Sequence, residues 1–594
     1  MAADPVFRSV RLQRISAVSA LAIAVALATP AHAQSLQGSG VFAGGSGSIS
    51  TTATTTDISV DTPTAVINWT PSDTAGTGTI AFQPAGTTAT FHGNLTSGAD
   101  FAVLNRVIPV DGQGNLVLTR PIQFDGHVVS QLQSVSGAPT QGGTVFFYSP
   151  GGIIVGATAV FDVGNLALTT SDLNYNASTG AFDSNGSYAF LTSHVGAAIQ
   201  IDSGAQINAS VGSTSNAYVA LVAPTIVNNG AINVDGSAAL IAAEAATVQF
   251  SPDGLFTIQV DSGTSATGTV LTNNGTVTGA NPGSTAVHAI YMVAVPKNTA
   301  ITMAIAGGNQ LGFDVAGAAN VVGNTVVLSA GYDVVAGAVQ GTRSAGGGTG
   351  QADLRIGAVN ATSAVIGQAT GEALLRVTGG ATANFASNLA LAGVTNPLNT
   401  DTRAAHVVVQ GAGSSVQVGG SLVVTALDAG AVDGSLASDS TAAQVDVTTG
   451  GSLSVTGNMR VDASRFGLGD GGSATGGSAA LVAGVGATVD IGGNLDLVAT
   501  GAGAPVQASA GTSAGSGTGG DAQLAYGNGA SVAVHGNLTV DASGVGGVPL
   551  ATGYAGGNGS GGSASVLGQT GGGALNVFGS ATLHADGVGR IGQG

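Results

Sequence analysis

The scarce reactive residues of this 594-residue chain are eight histidines, two glutamates and a single lysine, and their spacing restricts the chemistry they can do. A metal site draws on His, Cys, Asp or Glu brought together by short spacings such as His-x-x-x-His. His32, His92, His127, His194, His288, His406, His535 and His584 show no such spacing, and no cysteine supplies a thiolate. Paired carboxylates would serve general acid–base attack on a glycan, but Glu244 and Glu372 are far apart. Asp462 and Asp541 hold equivalent places in a repeat that elsewhere carries Thr425, Val498 and His584. Gly467-Leu-Gly-Asp-Gly-Gly472 and Gly519-Gly-Asp521 have the composition of calcium-binding nonapeptides without their tandem register, and read as loops. Lys297 follows Pro296 rather than a glycine loop, so no phosphate cradle is present. The expectation is a chain that is not an enzyme, with no catalytic residue, cofactor or metal.

Charge narrows the partners. The formal net charge is −18, and outside the first 33 residues there are 10 positive and 30 negative side chains. Such a surface cannot neutralise a run of phosphates, which argues against nucleic acid and against attraction to anionic lipid. The absence of cysteine rules out a disulfide framework. It also leaves the chain free to cross a narrow pore unfolded.

The elements that would position side chains are short. Val145 to Tyr148 is a β-branched and aromatic run that favours a strand. Ser149-Pro150-Gly151-Gly152 breaks it, Ile153 to Val155 restarts it, Gly156 turns, and Val160 to Val163 extends again. Strand, tight turn and strand with no room for a helix is the step of a chain winding through parallel β coils. Composition agrees: 98 glycines, 16 prolines and only 7% charged residues fit neither collagen nor disorder.

A repeat supports stacking. Val416-Gln-Val-Gly-Gly-Ser-Leu-Val-Val-Thr-Ala426 returns in copies beginning at Leu453, Val489, Val532 and Leu575, with a degenerate copy from Ala383. The anchor glycines Gly420, Gly457, Gly493, Gly536 and Gly579 lie 37, 36, 43 and 43 residues apart. Alternation within each copy predicts strand–turn–strand, with Val489, Ile491, Leu495 and Leu497 facing inward. The Gly/Ser/Ala segments Gly501–Gly520 and Gly553–Gly562 read as lateral loops from one corner, which absorb the spacing differences. At ~20–25 residues per coil and ~4.8 Å per step, the expectation is roughly 25 coils and a rod on the order of 120 Å.

The stretch 143–168 resembles the secretion-domain signature of the filamentous haemagglutinin family, the passengers of two-partner secretion. There the turn is Asn-Pro-Asn-Gly; here both asparagines are replaced, giving Ser149-Pro150-Gly151-Gly152. A strand ending at Trp69 and the step Leu104-Asn105-Arg106-Val107 precede it in the family's order. The resemblance implies a partner outer-membrane β-barrel transporter and names Trp69, Asn105, Arg106, Ser149, Pro150, Gly151 and Gly152 as secretion-motif candidates. Read physically, Trp69 caps the open end of the first coil. Asn105 and Arg106 either meet the partner or satisfy turn backbone groups.

The resulting expectation is an all-β chain, a right-handed parallel β-helix (β-solenoid) with a capped N-terminal secretion domain and Gly/Ser-rich lateral loops. Residues 1–33 read as a signal peptide, with Arg8, Arg11 and Arg14 before an apolar run and an Ala-x-Ala site that cuts between Ala33 and Gln34. Residues 34–265 would be the secretion domain and 266–594 the repeat region, with its copies at about 383–585. The functional expectation is a secreted or surface-exposed adhesin, exported through the periplasm to the outer membrane surface or beyond, meeting a host or neighbouring-cell glycan or protein. Two alternatives stay open: an autotransporter-type passenger, or a fragment of one, lacking its barrel, and a secreted β-helical carbohydrate-active enzyme.

Overall fold

The computed structural model describes residues 34–591, apart from 96–98, 134–137, 184–185, 212–215, 251–255, 280–287, 300, 306–310, 314–324, 336–337, 348–351, 357–358, 362–363, 369–372, 381, 386–387, 395–402, 428–441, 507–512, 551 and 570. The regular elements among the described residues are β-strands, and the chain winds as a solenoid. Each coil lends one strand to each of three parallel sheets. Sheet I begins with Thr64–Pro71, Ala102–Val107, Thr144–Tyr148 and Asn165–Thr169 and runs on to Ala581–His584. Among the described residues sheet II holds 14 strands, from Ile80–Gln83 to Ser563–Gly568. Sheet III has two parts, a 10-stranded one from Gly47–Thr51 to Leu311–Phe313 and a 7-stranded one from Val359–Ala361 to Ala574–Val577.

Alternation drives the winding. Successive side chains of a strand point to opposite faces, so Val489 and Ile491 enter the core while Asp490 faces out, and Leu495 and Leu497 enter while Asp496 faces out. One continuous apolar core, from Leu36 to Ala542, fills the space between the three sheets. The repeat register expected from sequence is the register found: Thr425, Asp462, Val498, Asp541 and His584 are successive partners along sheet I. Fourteen strands at ~4.8 Å give a solenoid of roughly 65 Å. The expected 120 Å assumed about 20–25 residues per coil, whereas lateral segments raise the number each coil consumes.

Two additions clothe the coils. At the N-terminal end, Gly38–Gly44 pairs antiparallel with Thr64–Pro71, and Gly47–Thr51 pairs antiparallel with Thr55–Val60. Leu36 plugs the core, its N–H donating to Thr56 Oγ1 at 3.2 Å. This cap pairs the edges of sheets I and III that would otherwise stand open. Trp69 therefore lies beneath the cap rather than forming it. A side chain at Gly40 would come within 2.8 Å of the Trp69 ring, so a glycine is needed where the cap strand crosses the indole.

The second addition is an antiparallel side sheet. Gly236–Phe250 pairs along its first half in sheet I, then leaves to pair with Ser187–Phe190 and Phe256–Gly263, which leads on to Tyr332–Val335 and Ala338–Arg343. It covers the outer face of sheet I with a second apolar cluster that includes Leu104, Phe146, Phe190, Ile241, Phe256 and Tyr291. Sheet I is thus buried on both faces here, which is why Thr144–Tyr148 and Ala289–Ala294 carry unbroken apolar runs. Phe256–Gly263, at the end of the span 34–265, belongs to this side sheet. The parallel sheets pass residue 265 without interruption.

Candidate functional site

The secretion-motif candidates converge in the first coils, and the structure gives each a packing role. Asn105 is fully buried on the core side of Ala102–Val107. A buried amide needs partners for both its halves. Trp69 Nε1–H donates to Asn105 Oδ1 at 2.9 Å, and Asn105 Nδ2–H donates to the Phe146 carbonyl at 3.2 Å. Because Ile67, Asn105 and Phe147 are register partners, this chain of hydrogen bonds ties three successive coils together.

Arg106, next in sequence, points the other way. Its Nε–H donates to Asp172 Oδ1 and its Nη1–H to Asn68 Oδ1, each at 2.9 Å, while Nη2 meets Asp172 Oδ2. The guanidinium carbon lies 5.2 Å from the Tyr175 ring centroid and 5.9 Å from that of Tyr148, a cation–π geometry. Hydrogen bonding to Asp172 raises the Arg106 pKa against the opposing effect of burial. Burial, helped by the Asp172 charge, pushes Tyr148 up to about 12. The cluster fastens the segment after Thr169 onto sheet I.

Ser149-Pro150-Gly151-Gly152 is a buried turn. Ser149 N–H donates to the Thr169 carbonyl at 3.1 Å, and the Gly152 carbonyl accepts from Ile122 N–H at 3.0 Å. Gly152 sits at φ +115°, open to glycine, and a Cβ on Gly151 would overlap the Arg120 carbonyl. The turn rests directly on that of the preceding coil. Ser149 Oγ is buried without a hydrogen-bond partner. Of the seven candidates only Arg106 keeps even partial exposure. At the proposed cleavage point, Gln34 is exposed, whereas Ala33 and the whole signal-peptide assignment lie outside the described residues.

Three groups escaped the sequence reading. Arg120 is buried, with Nε–H donating to the Gly78 carbonyl at 2.7 Å and Nη2 pairing with Asp73 at 2.5 Å. The hydrogen bond from Arg120 holds Asp73 below the usual carboxylate range. Glu244 meets Lys297 Nζ at 3.1 Å and accepts Ser265 N–H at 2.9 Å. Burial works to raise the Glu244 pKa, but Ser265 and Lys297 prevail and lower it. The only signal in the sequence was scarcity: the single lysine meets one of two glutamates.

The third group explains the repeat. Gly457, Gly493, Gly536 and Gly579 each donate N–H to the carbonyl of the anchor glycine one coil earlier, at 2.8–3.0 Å. Asn458 Oδ1 accepts Asn494 N–H, Asn494 Oδ1 accepts Asn537 N–H, and Asn537 Oδ1 accepts Ser580 N–H, each at 2.9 Å. A Cβ on Gly493, Gly536 or Gly579 would overlap that same asparagine oxygen of the preceding coil. Gly-Asn is therefore one device: the missing side chain makes room for the amide that staples the next turn.

Three further histidines pair with carboxylates. His127 meets Asp162 at 2.7 Å, His406 meets Asp446 at 2.9 Å and His535 meets Asp490 at 2.9 Å, each across neighbouring coils. His535 also stacks on Phe578 with centroids 4.9 Å apart. Asp462 Oδ1 and Asp541 Oδ1 accept Ser464 N–H and Ser543 N–H, closing the turns that follow. Among the described residues, no three His, Cys, Asp or Glu gather where a metal ion could sit, and no helix is long and apolar enough to cross a membrane.

No family model matches the sequence, and no curated protein matches it. Among solved structures, the HMW1 secretion domain from Haemophilus influenzae aligns with 16% identity, covering 83% of this chain and 97% of that one, at a TM-score of 0.36. That is a loose likeness. The class the fold defines is an all-β solenoid with a capped N-terminal end.

Proposed function

We propose that the chain is an exported, surface-directed solenoid of the two-partner type, acting by adhesion or binding rather than catalysis. In this reading a partner outer-membrane β-barrel transporter recognises the N-terminal coils and threads the chain outward. The observation that carries it is the burial of Trp69, Asn105 and Ser149 to Gly152, the residues through which the sequence resembles a secretion domain. Side chains folded into the core can be read by a partner only before the coils close. The cysteine-free composition and the signal-peptide pattern of residues 1–33 support the same route. The rod then presents its outer faces to a glycan or protein on another cell.

The experiment is fractionation of producing cells with and without a co-expressed candidate transporter, for the full chain and for a variant lacking residues 34–265. Transporter-dependent appearance of the full chain at the surface or in the medium, and retention of the deletion variant, is the expected result. Export of the deletion variant at the normal level would overturn the proposal.

A further inference from the structure

In the glycine-rich segments that leave the corner between sheets I and II, the described residues form paired limbs of arms. Their outgoing limbs pair in register, Arg465–Phe466 with Gly501–Ala502, then Gly544–Val545, then Gly587–Val588. Their returning limbs pair likewise, Ala474–Thr475 with Gly517–Thr518 and then Gly559–Ser560. Further hydrogen bonds run between limbs: Gly515 N–H to the Ala504 carbonyl at 3.0 Å, and Gly547 N–H to the Gly515 carbonyl at 2.8 Å. A Cβ on Gly503, Gly515 or Gly519 would overlap a neighbouring backbone oxygen, so backbone packs on backbone. The result is a thin, stiff fin.

The fin has two unlike sides. Thr475, Thr518 and Ser560 stack along the returning limbs. On the outgoing limbs Ala502 and Pro505, and likewise Val545 and Val548, are the outward-facing side chains and lie three residues apart, the period of an extended three-residue-per-turn chain. One row is Phe466, Ala502, Val545 and Val588, exposed at Phe466 and Val588 and half-buried at Ala502 and Val545, and beside it lie the exposed Pro505 and Val548. Phe466 is 69% exposed and Val548 42%. No charged side chain belongs to either row, in a chain whose net charge is −18.

We infer that the apolar side of the fin is a self-association surface that takes the same side of a second copy of this chain. Charge argues for it: acidic copies repel each other over most of their surface, and this face is free of that repulsion. Shape argues for it as well, since two flat faces ruled at the same coil spacing meet about a twofold axis with each row set against its equivalent. Two short rows of side chains make a face smaller than the ~800 Å² per partner of a standard stable interface, so the association is weak and reversible. The glycine lattice has little side-chain freedom to lose on docking. The inference does not depend on the route of export.

The test is sedimentation equilibrium of the purified chain from residue 34 over roughly 1–100 µM, a range suited to interfaces below standard size. The expected result is a weight-average mass rising toward twice the monomer value. Phe466→Glu combined with Val548→Glu should move the midpoint to at least about tenfold higher concentration. Leu116→Glu, which replaces an exposed leucine far from the fin, should leave it unchanged. Circular dichroism and thermal melting of each variant check that the fold survives, and Phe466→Ser with Val548→Ser provides an uncharged second variant. A monomer at every concentration, or dimers indifferent to both fin variants, would overturn the inference. So would a fin that stays monomeric but sediments with neutral phosphatidylcholine vesicles.

Discussion

The asparagine at each repeat turn is worth more than its polarity suggests, because its oxygen occupies the volume that a side chain on the next coil would claim. Asn458→Ala should cost about 1 kcal/mol, the usual net value of one hydrogen bond. Gly493→Ala should cost more, since its methyl meets Asn458 Oδ1 and lies 2.8 Å from the Gly457 carbonyl. The two changes together should cost less than their sum, a coupling that a double-mutant cycle in urea would measure. Strict additivity would show that the asparagine and the glycine act independently. Arg106→Met should lower stability by ~1–3 kcal/mol by leaving Asp172 without its charged donor, with proteolytic nicking rising first in the segment after Thr169. Acid should find the carboxylates. Glu244 is depressed in the folded chain, so its contribution is complete above the unfolded glutamate value of about 4.3 and fades as pH falls through the lower folded value. The stability gap between the native chain and Glu244→Gln should therefore be largest near pH 7 and shrink below about pH 4, as denaturant midpoints at a series of pH values would reveal.

Among elements, the arms make the sharpest prediction. Gly515→Ala drives a methyl into the Gly472 carbonyl and should cost about 1–3 kcal/mol. Gly112→Ala, with nothing within 4 Å of its Cβ position, should change stability by no more than about 0.5 kcal/mol. Equal effects at the two sites, read by thermal melting, would contradict the packed-backbone account of the fin. Elements also mark how far the sequence was legible. The strands of 144–169 and the register of Thr425, Asp462, Val498, Asp541 and His584 were readable, because alternation and repetition are local signals. The side sheet was not, because Gly236–Phe250 serves two sheets in turn and an unbroken apolar run does not say which surface covers it. The arms read as loops because glycine composition is silent about whether backbone meets backbone or solvent. Asn105 was left between two roles for a related reason: its partners, Trp69 and the Phe146 carbonyl, lie 36 and 41 residues away.

At the scale of the whole molecule, each coil is stabilised chiefly by the one before and the one after, and the core is continuous along the axis. A lone coil orders about 20–40 residues at roughly 1–2 kcal/mol each against a few buried aliphatic side chains at about 1.5–3 kcal/mol each, so it has no independent fold. Small-angle scattering from the chain beginning at residue 34 should report an axial length of roughly 65 Å, from fourteen strands at ~4.8 Å. A particle near 120 Å with the same mass would contradict the coil count. The antiparallel strands at one end leave growth of the rod a single direction.

The forward-facing staple of Asn458, Asn494 and Asn537 has a consequence for how such a molecule changes length over generations. Asn458 offers Asn494 the same acceptor that Asn494 offers Asn537 and Asn537 offers Ser580, and the last two intervals between anchor glycines are equal at 43 residues. A stretch of coding sequence copied in tandem at that interval would therefore arrive already in phase, with every amide, glycine gap and arm limb meeting its counterpart. The rod can be lengthened or trimmed by unequal exchange without inventing a new contact, while an exchange that breaks the Gly-Asn phase would meet a methyl where an oxygen must sit.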